Sequence, residues 1–325
     1  MSIFGGVDLI VKCYNPVPVS GKFECFDVIT RAKSVVWNKK FYDVGSFQIS
    51  LLKTDLKRND IVVHGDNCGI VMKIEKSFEG CEVYGYDLKG LTEFRHIYEP
   101  KTYAGDAETI IKAIAQDALI TGKRAIEGLT IADVRLDIQE KMEWLCDNVN
   151  VADTLNKLCK EKELNYDITF SETGLLFDVT KGRDMTENTV FSRKFRNIED
   201  MTHTVDNYST YNVVLSKVQA EDGTITYTEI GDAEGIFRRE YATDKDAETV
   251  LTEKREIETM RGTANDRLKY GSDWKNGDYV TCMFGDYVAE KQIVEVKEVY
   301  EPCNTKIMPI FGDEKENIIK KILRM

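Results

Sequence analysis

Apolar and polar residues alternate with a period of two through most of the first hundred positions and again after position 190, whereas the stretch between them repeats about every 3.6 residues. In the first part, the runs 9–11, 22–29, 33–37, 46–52, 61–63, 69–76 and 81–86 are short, rich in β-branched and aromatic residues, and separated by turn formers. They predict an antiparallel barrel or sandwich, with a short helix over 88–95. From Asp106 the period lengthens. Ile110, Ile111, Ile114, Ala115 and Ala118 share one face behind an Asp N-cap, and Gly122 ends the run. A second helix is predicted over 151–162 from the stripe Val151, Leu155, Leu158 and Cys159, followed by a hairpin of strands 166–170 and 175–180. Strands return at 190–195, 211–219, 225–230, 279–284 and 289–300, with Glu221-Asp222-Gly223 as a hairpin turn. The charged stretch 232–262 predicts loop and a helix over 247–260. The last residues, 313–325, set Ile318, Ile319, Ile322 and Leu323 on one helical face. The fold class is therefore α+β, mostly β, with an α/β insertion at 101–190 between two strand-rich parts, 1–100 and 191–311, and a C-terminal amphipathic helix over 312–325.

The second strand-rich part echoes the first. Asn59-Asp60-Ile61-Val62-Val63, then Gly65-Asp66, then Ile70-Val71-Met72-Lys73-Ile74-Glu75 runs in the same order as Gly277-Asp278-Tyr279-Val280-Thr281, then Gly285-Asp286, then Ile293-Val294-Glu295-Val296-Lys297-Glu298. The second hairpin is a few residues longer. An echo of this kind predicts two similar β-domains in one chain.

Composition narrows the class. The 325 residues are 42% hydrophobic and 10% aromatic, as in a folded chain of two or three domains, and the net charge of −12 opposes stable binding to nucleic acid. No run approaches the length that spans a bilayer, so no membrane anchor is expected. The eight cysteines lack C-x-x-C pairs and His at zinc spacing, which predicts buried free thiols and no metal.

Chemistry is sparse. H-E-x-x-H, G-x-S-x-G, G-x-x-x-x-G-K-[ST] and G-x-G-x-x-G are all absent, and the histidines are His64, His96 and His203. Cys68 near His64 suggests a nucleophile and base, but both flank Gly65-Asp66-Asn67, a turn by composition. Glu140 and Glu143 beside Trp144 suggest paired carboxylates, although an amphipathic helix with Met142 and Leu145 inward accounts for the same pattern. No catalytic residue, cofactor site or metal site is assigned.

Several blocks resemble a known family. Trp37 followed by Phe41-Tyr42-Asp43-Val44-Gly45-Ser46-Phe47-Gln48-Ile49 resembles a signature of siphovirus ReqiPepy-type tail proteins. Tyr84-Gly85-Tyr86-Asp87-Leu88-Lys89-Gly90-Leu91 resembles their next block, and Gly182-Arg183-Asp184-Met185-Thr186 with Val190-Phe191-Ser192, Phe195 and Asn197 is the most specific match. Gly277-Asp278-Tyr279-Val280-Thr281 is similar to the block that closes the pattern. The resemblance implies a phage tail-tip or baseplate hub of the tail-associated type, similar to the central hub of T-even phages, with two tube-like β-barrel domains at 1–100 and 191–311. It implies a homotrimer that joins a six-fold tail tube to a three-fold tip. The implied partners are the tail tube or distal tail protein ring, the tape measure protein and a central spike or tip protein. The chain would be assembled in the host bacterial cytoplasm and reside at the virion tail tip, around an acidic or mixed lumen. No added C-terminal peptidase or lysozyme domain is expected, so the alternative of a peptidoglycan hydrolase rests on the residues above.

Overall fold

The computed structural model describes residues 9–312 apart from 209, 220–223, 245 and 254. The expected turn at 221–223 and helix over 313–325 lie outside the described residues. By their internal contacts the described residues form two units, the first over 9–201 and 262–311 and the second built on 202–261.

In the first unit the strands follow the alternation read from the sequence. Ser34–Lys40 pairs antiparallel with Ser46–Leu51, which pairs with Cys81–Asp87, then Asn67–Lys76, then Ile61–His64. Val11–Tyr14 and Cys25–Ile29 extend this path antiparallel. Inward positions supply the core: Val35, Trp37, Phe47, Ile49, Val62, Val71 and Val83 are buried together, with the Trp37 and Phe47 rings 4.9 Å apart. Each such side chain contributes about 1.5–3 kcal/mol by leaving water.

The later strands join the same sheet. Tyr287–Glu301, 15 residues long, pairs with Tyr279–Phe284 through its first half and with Asn304–Gly312 through its second. Its second half also lies antiparallel to Ser34–Lys40, with Glu295 opposite Lys40 and Tyr300 opposite Val35. Ile257–Ala264 and then Ile198–Asp206 follow Asn304–Gly312, so that thirteen described strands belong to one hydrogen-bonded sheet. A closed barrel over 1–100 or over 191–311 is thus not seen among the described residues. The path is open between Cys25–Ile29 and Ile198–Asp206, and among the described residues neither half closes on itself. The long bulged strand is the reason, because it carries partners from both halves.

The α/β segment packs on the first strands. Asp106 caps the helix Ala107–Ala115 by accepting from the Thr109 N–H at 2.9 Å, and the helix continues through a π turn, Gln116–Ile120. Asn150 caps Val151–Glu161. Ile110, Ile114, Leu155, Leu158, Tyr166 and Phe177 share a core with Tyr14, Phe23 and Phe41. Leu164–Ser171 and Gly174–Lys181 form the expected hairpin, with Leu129–Ile131 added in parallel.

Four expectations need correction. Residues 142–145 are no helix: Met142–Cys146 is a strand on Lys101–Gly105, which buries Cys146, half-buries Met142 and Trp144, and leaves Leu145 65% exposed. Both periods fit so short a run, and the partner strand decides. The helix expected over 247–260 stops at Glu253, since Ile257–Ala264 pairs as a strand. The strand at 190–195 ends at Ser192, where Asn197 Oδ1 accepts from the Ser192 N–H at 2.9 Å and Asn197 Nδ2 donates to the Val190 carbonyl at 2.7 Å. Cys25 and Cys303 are exposed rather than buried.

In the second unit, Val213–Gln219 lies between Ile225–Ile230, antiparallel, and Glu240–Thr243, parallel. The helix Ala247–Glu253 places Ala247 and Val250 on Val214.

Candidate functional site

The echo between the two strand-rich parts is structural. In chain order, Ser34–Lys40, Ser46–Leu51, Ile61–His64, Asn67–Lys76 and Cys81–Asp87 are five strands lying in the spatial order first, second, fifth, fourth, third. Ile198–Asp206, Ile257–Ala264, Tyr279–Phe284, Tyr287–Glu301 and Asn304–Gly312 repeat that order. In chain order residues 207–256 separate the first two strands of the second repeat, where the first repeat has the short loop 41–45. One difference lies beyond the third strand: Val11–Tyr14 runs antiparallel to its neighbour, while Val190–Ser192 runs parallel.

The repeat extends to single bonds. Before the first hairpin, Asn59 at φ 74° donates its N–H to the Val71 carbonyl at 2.7 Å, and Val71 N–H returns to the Asp60 carbonyl at 2.9 Å. Before the second, Gly277 at φ 95° donates to the Ile293 carbonyl at 2.7 Å, and Ile293 N–H returns to Asp278 at 2.9 Å. The two buried carboxylates act alike. Asp60 Oδ2 accepts from the Lys57 N–H at 2.7 Å, and Asp278 Oδ2 from the Lys275 N–H at 2.8 Å, each closing a turn three residues upstream. Both hairpins then reverse at Gly-Asp, 65–66 and 285–286, and both returning strands carry a β-bulge one residue past the paired position, at Met72 and Val294. A bulge re-aims the strand beyond it, so both repeats bend at the same point.

The motifs of the resemblance hold these turns. Gly45 donates its N–H to Asp87 Oδ2 at 2.9 Å, and a Cβ there would strike Asp87 Oδ2 and the Asn38 carbonyl. Arg183 spans Asp278 through Nε at 3.1 Å and Nη2 at 2.5 Å, with its own N–H also on Oδ1. Gly277 tolerates no Cβ because the Phe41 ring lies against it. The sequence blocks 37–49, 182–186 and 277–281, far apart in the chain, are thereby brought together, with Asn276 Nδ2 also reaching the Lys39 carbonyl.

Beside this junction lies a cavity of about 1010 Å³ with a mixed lining, whose polar members include Lys39, His64, Asn67, Asp87, Asn276 and Glu298. Glu298, buried on the long strand, accepts from Asn67 Nδ2 at 2.6 Å and the Tyr300 hydroxyl at 2.8 Å, with Lys39 3.7 Å away. Lys89 is saturated by the carbonyls of Lys40, Phe41 and Asp43 and by Asn165 Oδ1. Burial pushes the Asp87 carboxyl up to about 7 against the pull of Lys89. It lowers His64, with Glu298 opposing.

The candidate catalytic residues do not assemble into a reacting pair. Cys68 donates weakly to the Ile168 carbonyl at 3.7 Å, and burial raises its thiol, the direction that removes the thiolate. His64 stacks edge-on against Tyr300. Glu140 pairs with Lys162 at 2.8 Å, while Glu143 is exposed on the strand Met142–Cys146. His96 bonds Asn148 and His203 bonds Glu258. Arg183 in a clamp, and the matched Lys57 and Lys275 N–H groups, were not legible as site residues. Setting 57–73 against 275–295 would have aligned the two lysines and the two carboxylates.

The fold is shared with phage tail proteins. The prophage tail protein gp18 from Listeria monocytogenes EGD-e is similar with a TM-score of 0.57 at 14% identity, covering 98% of each chain. The tail protein from Neisseria meningitidis MC58 is similar at TM-score 0.57 and 15% identity, over 94% of this chain and 96% of that one. A chain of the phage P2 baseplate in its activated conformation is similar at TM-score 0.52 and 11% identity, over 95% of this chain and all of that one. No curated protein sequence matches. The family described as Siphovirus ReqiPepy6 Gp37-like protein matches residues 19–241, more than half of the sequence, and the chain belongs to that family.

Proposed function

We propose that this chain is a structural hub of a phage tail tip or baseplate, assembled as a homotrimer that adapts a six-fold tube to a three-fold tip. The observation that carries the proposal is the duplicated five-strand order with its matched Asp caps and bulges. Three chains with two like repeats each present six quasi-equivalent elements to a six-fold ring. In this proposal 1–100 and 191–311 are the ring-forming domains, completed as barrels only in the ring. The α/β segment 101–190 lies outside it, and the lumen is acidic or mixed in charge. The partners are a tail tube or distal tail protein ring on one side and a central spike or tip protein on the other, with the tape measure protein threading toward the hub. Fold similarity to baseplate and tail proteins supports this location.

The proposal assigns no catalytic residue. Light scattering on the purified chain tests the assembly: a mass of three chains is expected, and a dimer or a strict monomer at every concentration contradicts it. A zymogram on host cell wall tests the hydrolase alternative. Clearing by the wild type that is lost in Cys68→Ala, His64→Ala or Glu143→Ala with unchanged folding would favour the enzyme.

A further inference from the structure

The two bulges fix an alignment of the strands that follow them, and that alignment exposes a charge reversal. With Val71 matched to Ile293 and Met72 to Val294, residues 73–76 fall on 295–298. The first reads Lys-Ile-Glu-Lys and the second Glu-Val-Lys-Glu. The apolar position keeps its character, while all three charged positions change sign.

The strand that the second copy meets is known. Residues 295–300 lie antiparallel to Ser34–Lys40, the first strand of the first repeat, whose charged residues are Lys39 and Lys40. Glu295 is opposite Lys40, and Glu298 lies 3.7 Å from Lys39. The equivalent edge of the first repeat, 73–76, pairs only with Cys81–Asp87 among the described residues; its Lys73 and Glu75 side chains, 62% and 52% exposed, pair with each other at 2.5 Å, which leaves the edge one positive charge in excess with Lys76. Phe78, in the turn just beyond it, is fully exposed. The first strand of the second repeat, Ile198–Asp206, ends the sheet path and carries Glu199, Asp200 and Asp206 with no Lys or Arg. Both members of the second junction are thus charge-reversed relative to the first: acidic edge on basic strand within the chain, basic edge on acidic strand left over.

We propose that the 73–76 edge of one copy adds to Ile198–Asp206 of a second copy, and that the sign reversal makes the junctions alternate. This rests on the trimeric reading above. Opposite charges across neighbouring strands are favourable and like charges unfavourable. Ser34–Lys40 and residues 295–300 already join each other within the chain, so the edge and the strand left for a second copy are 73–76, with two Lys against one Glu, and the acidic Ile198–Asp206. First repeats therefore join second repeats at both junctions, with the sign of the charges exchanged between the junction within the chain and the junction between copies. The addition also covers two strand edges that are open among the described residues and would otherwise invite indiscriminate pairing.

The test is charge exchange across the junction, read by light scattering at fixed concentration. The variant Lys73→Glu/Lys76→Glu is expected to fall from trimer to monomer, with circular dichroism unchanged because both side chains sit on an edge. Adding Glu199→Lys/Asp200→Asn, which removes two of the facing strand's three carboxylates, adds one base and keeps a residue tolerant of the positive φ at 200, is expected to restore the trimer by relieving the repulsion. A wild-type trimer indifferent to the first pair, or a loss that the second pair does not repair, overturns this junction while leaving the trimer intact. A wild type that never associates overturns the hub reading itself.

Discussion

The strands that follow Met72 and Val294 share a hairpin, a carboxylate-capped turn and a bulge, yet one is interior and the other is an edge. Past Val294 the chain is flanked on both sides, by Ser34–Lys40 and Asn304–Gly312, and Val296 is fully buried. Past Met72 only Cys81–Asp87 lies alongside among the described residues, Ile74 is half-buried and Lys73 is exposed. Local sequence builds the same bend twice; the neighbour decides whether the bent strand becomes core or rim. The comparison also separates the two caps, since Asp278 holds Arg183 as well as its turn while the side-chain bond of Asp60 is to the Lys57 N–H.

The comparison breaks most sharply at the bulges. Deleting Val294 removes the extra residue, so Glu295 stays opposite Ile310 and Val296 keeps its face, but the buried Val294 side chain and the bend that carries the strand between Ser34–Lys40 and Asn304–Gly312 are lost, which is expected to cost more than about 3 kcal/mol. Deleting Met72 displaces an edge and is expected to cost about 1–2 kcal/mol. Urea unfolding of both variants checks this, and equal losses would show that the two strands are not interior and edge.

The caps should differ by less. Asp278→Ala leaves Arg183 and the Lys275 N–H without their acceptor and is expected to cost about 3 kcal/mol, while Asp60→Ala is expected to cost about 1 kcal/mol. A larger loss at Asp60 would reverse the ranking drawn from Arg183.

Much of this was legible in the sequence, and the misses have physical causes. Alternation gave Ser46–Leu51 and Cys81–Asp87 nearly to the residue, because each buries one face. Asp106 marked the first helix start by its carboxylate, and the stripe from Val151 marked the second helix, whose Asn150 cap was not read. Ile198–Asp206 was hidden because its buried positions, Ile198 and Met201, are three apart, with Asp200 at a positive φ interrupting the alternation. Met142–Cys146 was misjudged because five residues satisfy either period. The Gly-Asp echo was visible as a pattern, but its shared cap and bulge depend on backbone pairing with partners ten or more residues away.

The smallest effect concerns pH. Burial of its carboxyl group pushes half-buried Asp87 up to about 7, above the ordinary carboxylate range, so between about 4 and 7 the folded chain holds a proton that the unfolded chain releases. This group's contribution therefore makes stability fall as pH rises through that window. Asp87→Asn keeps an acceptor for the Gly45 N–H and is expected to flatten the fall, seen as a urea midpoint less dependent on pH between 4.5 and 7.5. An unchanged slope would contradict the raised carboxyl.

The central claim is that two like repeats per chain make a closed ring of six. A cryo-electron microscopy map of the assembled chain, reconstructed without imposed symmetry, tests it most directly. The account predicts three chains and six repeats around one channel, with junctions of two alternating kinds. A ring of six chains, or a two-fold particle, would contradict it.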